Sequence, residues 1–156
     1  MRVIHSLSYA QARVIVDDVL STASKGEGPV AVAVTDPFGN LIAFAAMDGC
    51  PVDSLQLAIN KAYTSARRGK PTLELEDRVK TEPTYPTMAQ HDSKLCFWGG
   101  GVPVTDADTG KIVLGGIGVS GRKSHIVGPD GGDESLLQDH ELAAVAAEAS
   151  NWPDAK

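Results

Sequence analysis

The 156-residue chain has the length of one domain, and with 42% apolar and 22% charged residues its composition is that of an ordinary globular protein. A formal net charge of −6 argues against gripping a nucleic-acid backbone, which takes clustered Lys and Arg, although a local cationic patch could still meet a small anion. No apolar run nears the roughly 20 residues that span a bilayer, so no membrane partner is expected.

The opening Met1 to Ser6 has neither an apolar signal core nor a small-residue cleavage pattern. A chain that begins there is expected to stay in the cytoplasm, where Cys50 and Cys96 are expected as free thiols. Ser8 and Gln11 form an S-x-x-Q capping box, which marks a helix start. Ala12, Ile15, Val16, Val19, Leu20 and Ala23 then repeat as one apolar helical face, and Gly26 and Gly28 close it. Val30, Val32 and Val34 alternate with Ala31, Ala33 and Thr35 as in a strand whose second face is packed closely. The turn chemistry of Asp36 to Asn40 leads to a return strand from Leu41 to Met47.

A tight link, Met47 to Pro51, leads to a second helix that Asp53 is expected to cap. Leu55, Ala58, Ile59, Ala62, Tyr63 and Ala66 form its buried stripe, with Lys61, Arg67 and Arg68 on other faces. A short polar helix is expected over 72–80, and a loop where two prolines interrupt 82–87. Gly99 to Gly101 precede a strand from Val102, Asp106 to Gly110 make a turn, and a β-branched strand runs from Ile112 to Val119. Ser135 and Gln138 form a second capping box before an Ala-rich helix. Hairpins set among helices, without β-α-β alternation, predict an α+β class with an antiparallel sheet flanked by α-helices, in one domain over 1–156.

Gly116 to Gly121 spells G-x-G-x-x-G, but its glycines lie largely within a strand and do not open a helix, so no dinucleotide site is expected. Asp106 to Gly110 resembles the start of a calcium loop, yet the twelfth position holds Ile117 where a bidentate Glu is needed. His5, His91, His125 and His140 are dispersed and no C-x-x-C occurs, so no fixed metal site is expected. A lone histidine can still ligate heme iron, and His91 is the best placed. Asp48 could serve as a general base, a ligand anchor or a turn residue. Lys61 could reach a pocket at the helix edge, and Arg67 could hold a carboxylate. Gly99, Gly100, Gly101 and Ser120 offer backbone N–H groups that could cradle a carboxylate or propionate.

The runs Asp36-x-x-Gly39-Asn40-Leu41, Met47-Asp48-Gly49 and Lys61-Ala62-Tyr63-Thr64-x-Ala66 resemble the GlcG/HbpS-like family. So do Gly100 to Val104, Gly115 to Gly121 and Gln138-Asp139-x-Glu141-Leu142-Ala143, in the same order along the chain. The resemblance implies a profilin-like sheet flanked by helices and a homo-oligomer. It further implies a small-molecule or cofactor site, for heme or a corrinoid, or an accessory role. Two segments depart from the family pattern by their length, from about Gly69 to Trp98 and from Arg122 to Asp133. The competing reading is a small catabolic enzyme acting on an organic acid or ring-cleavage product. Asp48, Lys61 and His91 would then move protons, and a pocket is expected where the Met47–Gly49 link, Lys61 and the Gly99–Gly101 turn meet.

Overall fold

The computed structural model describes residues 1, 3–126 and 137–150. Helix α1 (Tyr9–Ala23) begins at the expected reciprocal cap. The Ser8 N–H donates to Gln11 Oε1 at 2.8 Å, and the Gln11 N–H donates to Ser8 Oγ at 3.2 Å. Its apolar stripe is buried through Ala12, Ile15, Val16, Val19 and Ala23. Strands β1 (Ala31–Thr35) and β2 (Leu41–Ala46) form the expected hairpin. The Asp36 carboxylate fixes its turn by accepting the N–H groups of Phe38 and Asn40 at 2.8 and 2.9 Å.

Helix α2 (Val52–Arg68) follows, then α3 (Thr72–Thr81) and a 3₁₀ turn over Tyr85–Gln90, where an irregular loop was expected. Strands β3 (Gly101–Thr105) and β4 (Val113–Ser120) and helix α4 (Asp139–Ala149) complete the described elements. The four strands lie in the order β2-β1-β4-β3 with every neighbour antiparallel, as the α+β reading requires. Pro103 sits on β3 at the edge of the sheet, where a missing N–H is tolerated.

One sheet face, through Val30, Val32, Val34, Val104, Ile117 and Val119, packs with α1 and α4 into the main core. The other face carries Ala31, Ala33, Gly116 and Gly118, and α2 lies on it. Small side chains on both partners bring the helix backbone almost onto the strands. A Cβ at Gly118 would overlap the Ala58 carbonyl oxygen and lie 2.5 Å from the Ala62 N. The glycine-rich motif is therefore a packing surface, and a polar segment separates its strand from α4. The same closeness explains a difference in α2. Ala58, Ala62 and Ala66 take the central line, while Leu55, Ile59 and Tyr63 flank it half-buried.

Two helix starts also differ from expectation. Pro51, not Asp53, occupies the N-cap of α2, and Asp53 lies in the first turn, where its charge favours the helix dipole. At α4 the cap is Gln138, whose N–H donates to the Glu141 side chain at 3.3 Å; Ser135 lies outside the described residues.

Gly118→Ala is expected to destabilise the fold by roughly 1–3 kcal/mol or more, because overlap with helix backbone cannot be relieved by turning a side chain. Urea unfolding of the variant checks this, and a neutral substitution would show that α2 stands farther from β4.

Candidate functional site

Packing on the Ala/Gly face leaves another side of α2 turned towards α3 and the segment 95–98. Ser54, Leu57 and Lys61 follow one another at helical spacing along that side, with Asn60 beside them, and Arg67 and Arg68 end the helix. These residues border a groove with three adjoining compartments. The middle one, about 500 Å³, is mostly apolar, with Leu57, Val79, Leu95, Phe97 and Trp98 on its walls. At one end, about 280 Å³ is lined by Arg67, Arg68, His91, Asp92 and Leu95. At the other, about 370 Å³ is bordered by Lys61, Glu76, Trp98, Ser120, Arg122 and Asp139, among others. Leu95 is common to the first pair, and Leu57, Glu76 and Trp98 to the second.

The polar end is built on a buried ion pair. Lys61 is 2% exposed and Asp139 1%. The Lys61 Nζ donates to Asp139 Oδ2 and to the Val119 carbonyl, both at 3.0 Å. Asp139 Oδ1 accepts the Arg122 backbone N–H at 3.0 Å. Burial pushes the Asp139 carboxyl up to about 6, against the pull of Lys61 and the Arg122 N–H, which favour the charged form. Gly100, at φ 122°, passes so close that a Cβ would stand 2.9 Å from the Lys61 Nζ. The Arg122 guanidinium donates to the carbonyls of Leu137, Ala23 and Gly28 at 2.7, 2.8 and 3.0 Å, so it braces the chain.

The structure places four of the expected site residues along this groove. Lys61 and Ser120 share the polar end, while Arg67 and His91 share the cationic end. Asp48 is exposed in the turn after β2 and lies on none of the three compartment walls. Asp48, Lys61 and His91 are thus not gathered in one compartment. The protein itself takes two N–H groups of the expected glycine cradle. The Gly99 N–H donates to Glu76 Oε2 at 2.7 Å, the Gly101 N–H donates to Thr72 Oγ1 at 2.8 Å, and the Gly100 carbonyl accepts from the Val119 N–H at 2.8 Å.

Asp139, Glu76, Cys96 and Trp98 also border the groove, and the sequence did not mark them as site residues. A signal existed for Asp139, an acid in the first turn of a capped helix, but nothing local links it to a lysine 78 positions away. Cys96 is buried, its N–H donating to Thr64 Oγ1 at 2.9 Å, and burial pushes its thiol up, which keeps it neutral. Among the described residues, no group of three or more His, Cys, Asp or Glu is arranged to hold a metal ion, and no helix is long and apolar enough to cross a membrane.

Breaking the pair from one side leaves a buried charge, so Lys61→Met is expected to cost about 3–5 kcal/mol. The double change Lys61→Met with Asp139→Leu should recover most of that in chemical denaturation. The pH dependence has a definite sign. The folded state holds the Asp139 proton more tightly than the unfolded chain, so this carboxyl adds stability as pH falls from about 6 towards 3.8. Asp139→Asn should remove that contribution, and carboxyl NMR should show a resonance titrating near 6 that the variant lacks.

Comparison with known proteins places this architecture. An uncharacterised 15.0 kDa protein from the dhaT-dhaS intergenic region of Citrobacter freundii is 31% identical over 119 residues, covering 76% of this chain and 82% of that protein. The HbpS double mutant of Streptomyces reticuli superposes with a TM-score of 0.75 at 27% identity, over 96% of this chain and 90% of that one. The heme complex of PduOC gives 0.74 at 26%, over 92% and 94%. The Klebsiella pneumoniae protein ORFY gives 0.78 at 23% identity, over 96% and 94%, a likeness of fold. Residues 7–126 match the family described as haem degrading protein HbpS-like, and the chain belongs to the HbpS-like family.

Proposed function

We propose that this protein binds a flat, largely apolar, anionic cofactor in the groove between α2, α3 and the segment 95–98, and that heme is that cofactor. The observation that carries the reading is the juxtaposition of the 500 Å³ compartment, walled by Phe97 and Trp98, with the compartment of Arg67, Arg68 and His91. Heme has the same division, an apolar macrocycle with two carboxylates on one edge. Its occurrence in the complex of PduOC, a relative of the same fold, supports the choice.

The residues fit the group in part by wall and in part by charge. Leu57, Val79, Leu95, Phe97 and Trp98 would enclose the ring, and Arg67 with Arg68 would meet the propionates. No imidazole lies on the wall of the apolar compartment, and the neutral Cys96 thiol is a poor ligand, so His91 beyond Leu95 is the nitrogen that would reach the iron. Bound heme would supply a redox-active iron, while this chain would orient the ring and keep water from its faces. A corrinoid carries amide arms around its ring and suits an apolar slot of this size less well. The catabolic-enzyme reading draws on the opposite, polar end of the groove, where Lys61 stands without Asp48 or His91.

Hemin is expected to bind saturably with a sharp change in its Soret band. Arg67→Ala should weaken hemin binding by about tenfold or more, the size of a lost charged hydrogen bond, and should leave binding of hemin dimethyl ester unchanged. His91→Ala should shift the spectrum more than the affinity. A broad change that never saturates would refute the reading.

A further inference from the structure

A lysine and an aspartate at 2% and 1% exposure are an expensive way to join a helix to a strand end, since apolar residues of similar volume usually serve as well. Here the pair also borders a cleft of about 370 Å³. The other described lysines, at 25, 70, 80, 94, 111 and 123, are exposed. Lys61 is therefore set apart from them, at the base of an opening that a small molecule can enter.

The cleft carries balanced charge. Lys61 and Arg122 face Asp139 and Glu76, and the Arg122 guanidinium is already spent on three carbonyls. Such a site favours a neutral ligand over an ion. Ser54, Ser120 and Ser124 add hydroxyl groups to the walls, and Trp98, 59% exposed, stands where the cleft meets the apolar compartment. Of the three ammonium hydrogens on Lys61, two are directed to Asp139 Oδ2 and the Val119 carbonyl. Burial out of water is one route by which a lysine amine becomes a Schiff-base nucleophile; the paired Asp139 carboxylate favours the ammonium, and it is also the group placed to take its proton.

We propose that Lys61 captures a small neutral hydroxy-carbonyl compound as a Schiff base in this cleft, with Asp139 as its proton acceptor and donor. In the first step Asp139 Oδ2 takes a proton from Nζ, and the freed amine attacks the carbonyl carbon to form the C–N bond. A proton moves from nitrogen to the former carbonyl oxygen, giving a carbinolamine. Asp139 then returns its proton to that hydroxyl, which leaves as water as the C=N bond forms. The product iminium keeps one N–H, which can remain on the Asp139 carboxylate. No electrons are gained or lost, and one water is released for each bond made. The raised Asp139 carboxyl supports the exchange, because it accepts a proton near neutrality more readily than a surface carboxylate does. Ser120 and Ser124 would hydrogen-bond the ligand hydroxyl. The proposal does not rest on cofactor binding in the adjoining compartments, although Leu57, Glu76 and Trp98 border both this cleft and the apolar one.

The experiment is reductive trapping on the full chain, with hydroxyacetone as the probe, cyanoborohydride as the reductant and peptide mapping as the readout. The exposed lysines are an internal control, since unselective chemistry follows exposure. The expected result is a reduced adduct concentrated on Lys61, saturating with hydroxyacetone and weaker with acetone, which lacks the hydroxyl. Adducts confined to exposed lysines, with Lys61 unmodified, would overturn the proposal; equal labelling by acetone would overturn its hydroxyl component. Lys61→Arg keeps the charge and should lose the saturable adduct, but the wild-type map decides the matter even where that variant does not fold.

Discussion

The Lys61–Asp139 pair is the constraint around which the rest of the molecule is arranged. It joins three elements, because Lys61 belongs to α2, its second acceptor, Val119, is the last residue but one of β4, and Asp139 begins α4. A buried charge tolerates little misplacement, since losing its partner costs far more than keeping it gains. That requirement explains the neighbouring backbone. Gly100 is glycine because a side chain there would strike Nζ and Asp139, and Gly118 is glycine because α2 must lie close enough for Lys61 to reach across. The Arg122 N–H completes the carboxylate while its guanidinium ties the same loop to the end of α1.

Much of this was legible in the sequence, because much of it is local. The capping box at Ser8, the stripe from Ala12 to Ala23 and the turn at Asp36 each depend on residues a few positions apart, and each formed as read. Strand assignment for Ile112 to Val119 rested on its wealth of β-branched residues and kept the G-x-G-x-x-G letters from being taken for a nucleotide site. The groove was not legible for the converse reason. Its walls come from α2, α3 and an irregular stretch around Phe97, which have no common period. Lys61 could be placed at a helix edge, but its partner could not, since periodicity carries no information across 78 positions. Nor could the sequence show that Glu76 and Thr72 take the Gly99 and Gly101 N–H groups, two of those expected to face a ligand.

The groove draws its character from unequal walls. Alanine and glycine fix the sheet side of α2, so the larger side chains of that helix are left for its free side. Along that side the chemistry changes within a few turns, from Ser54 and Leu57 to the paired Lys61 and then to two arginines. Membership of the HbpS-like family fixes the scaffold; the side chains between Ser54 and Arg68, with those opposite, decide what it holds.

The two rims of the sheet are not equivalent. On β3, Pro103 removes a donor from the row of backbone groups that a further strand would need. On β2 the rim has its full complement of donors, beside exposed Leu41 and Phe44. Unwanted growth of the sheet by strands from other molecules is therefore discouraged from one direction only, and the hairpin rim is where crowding, heat or partial unfolding would first make chains adhere.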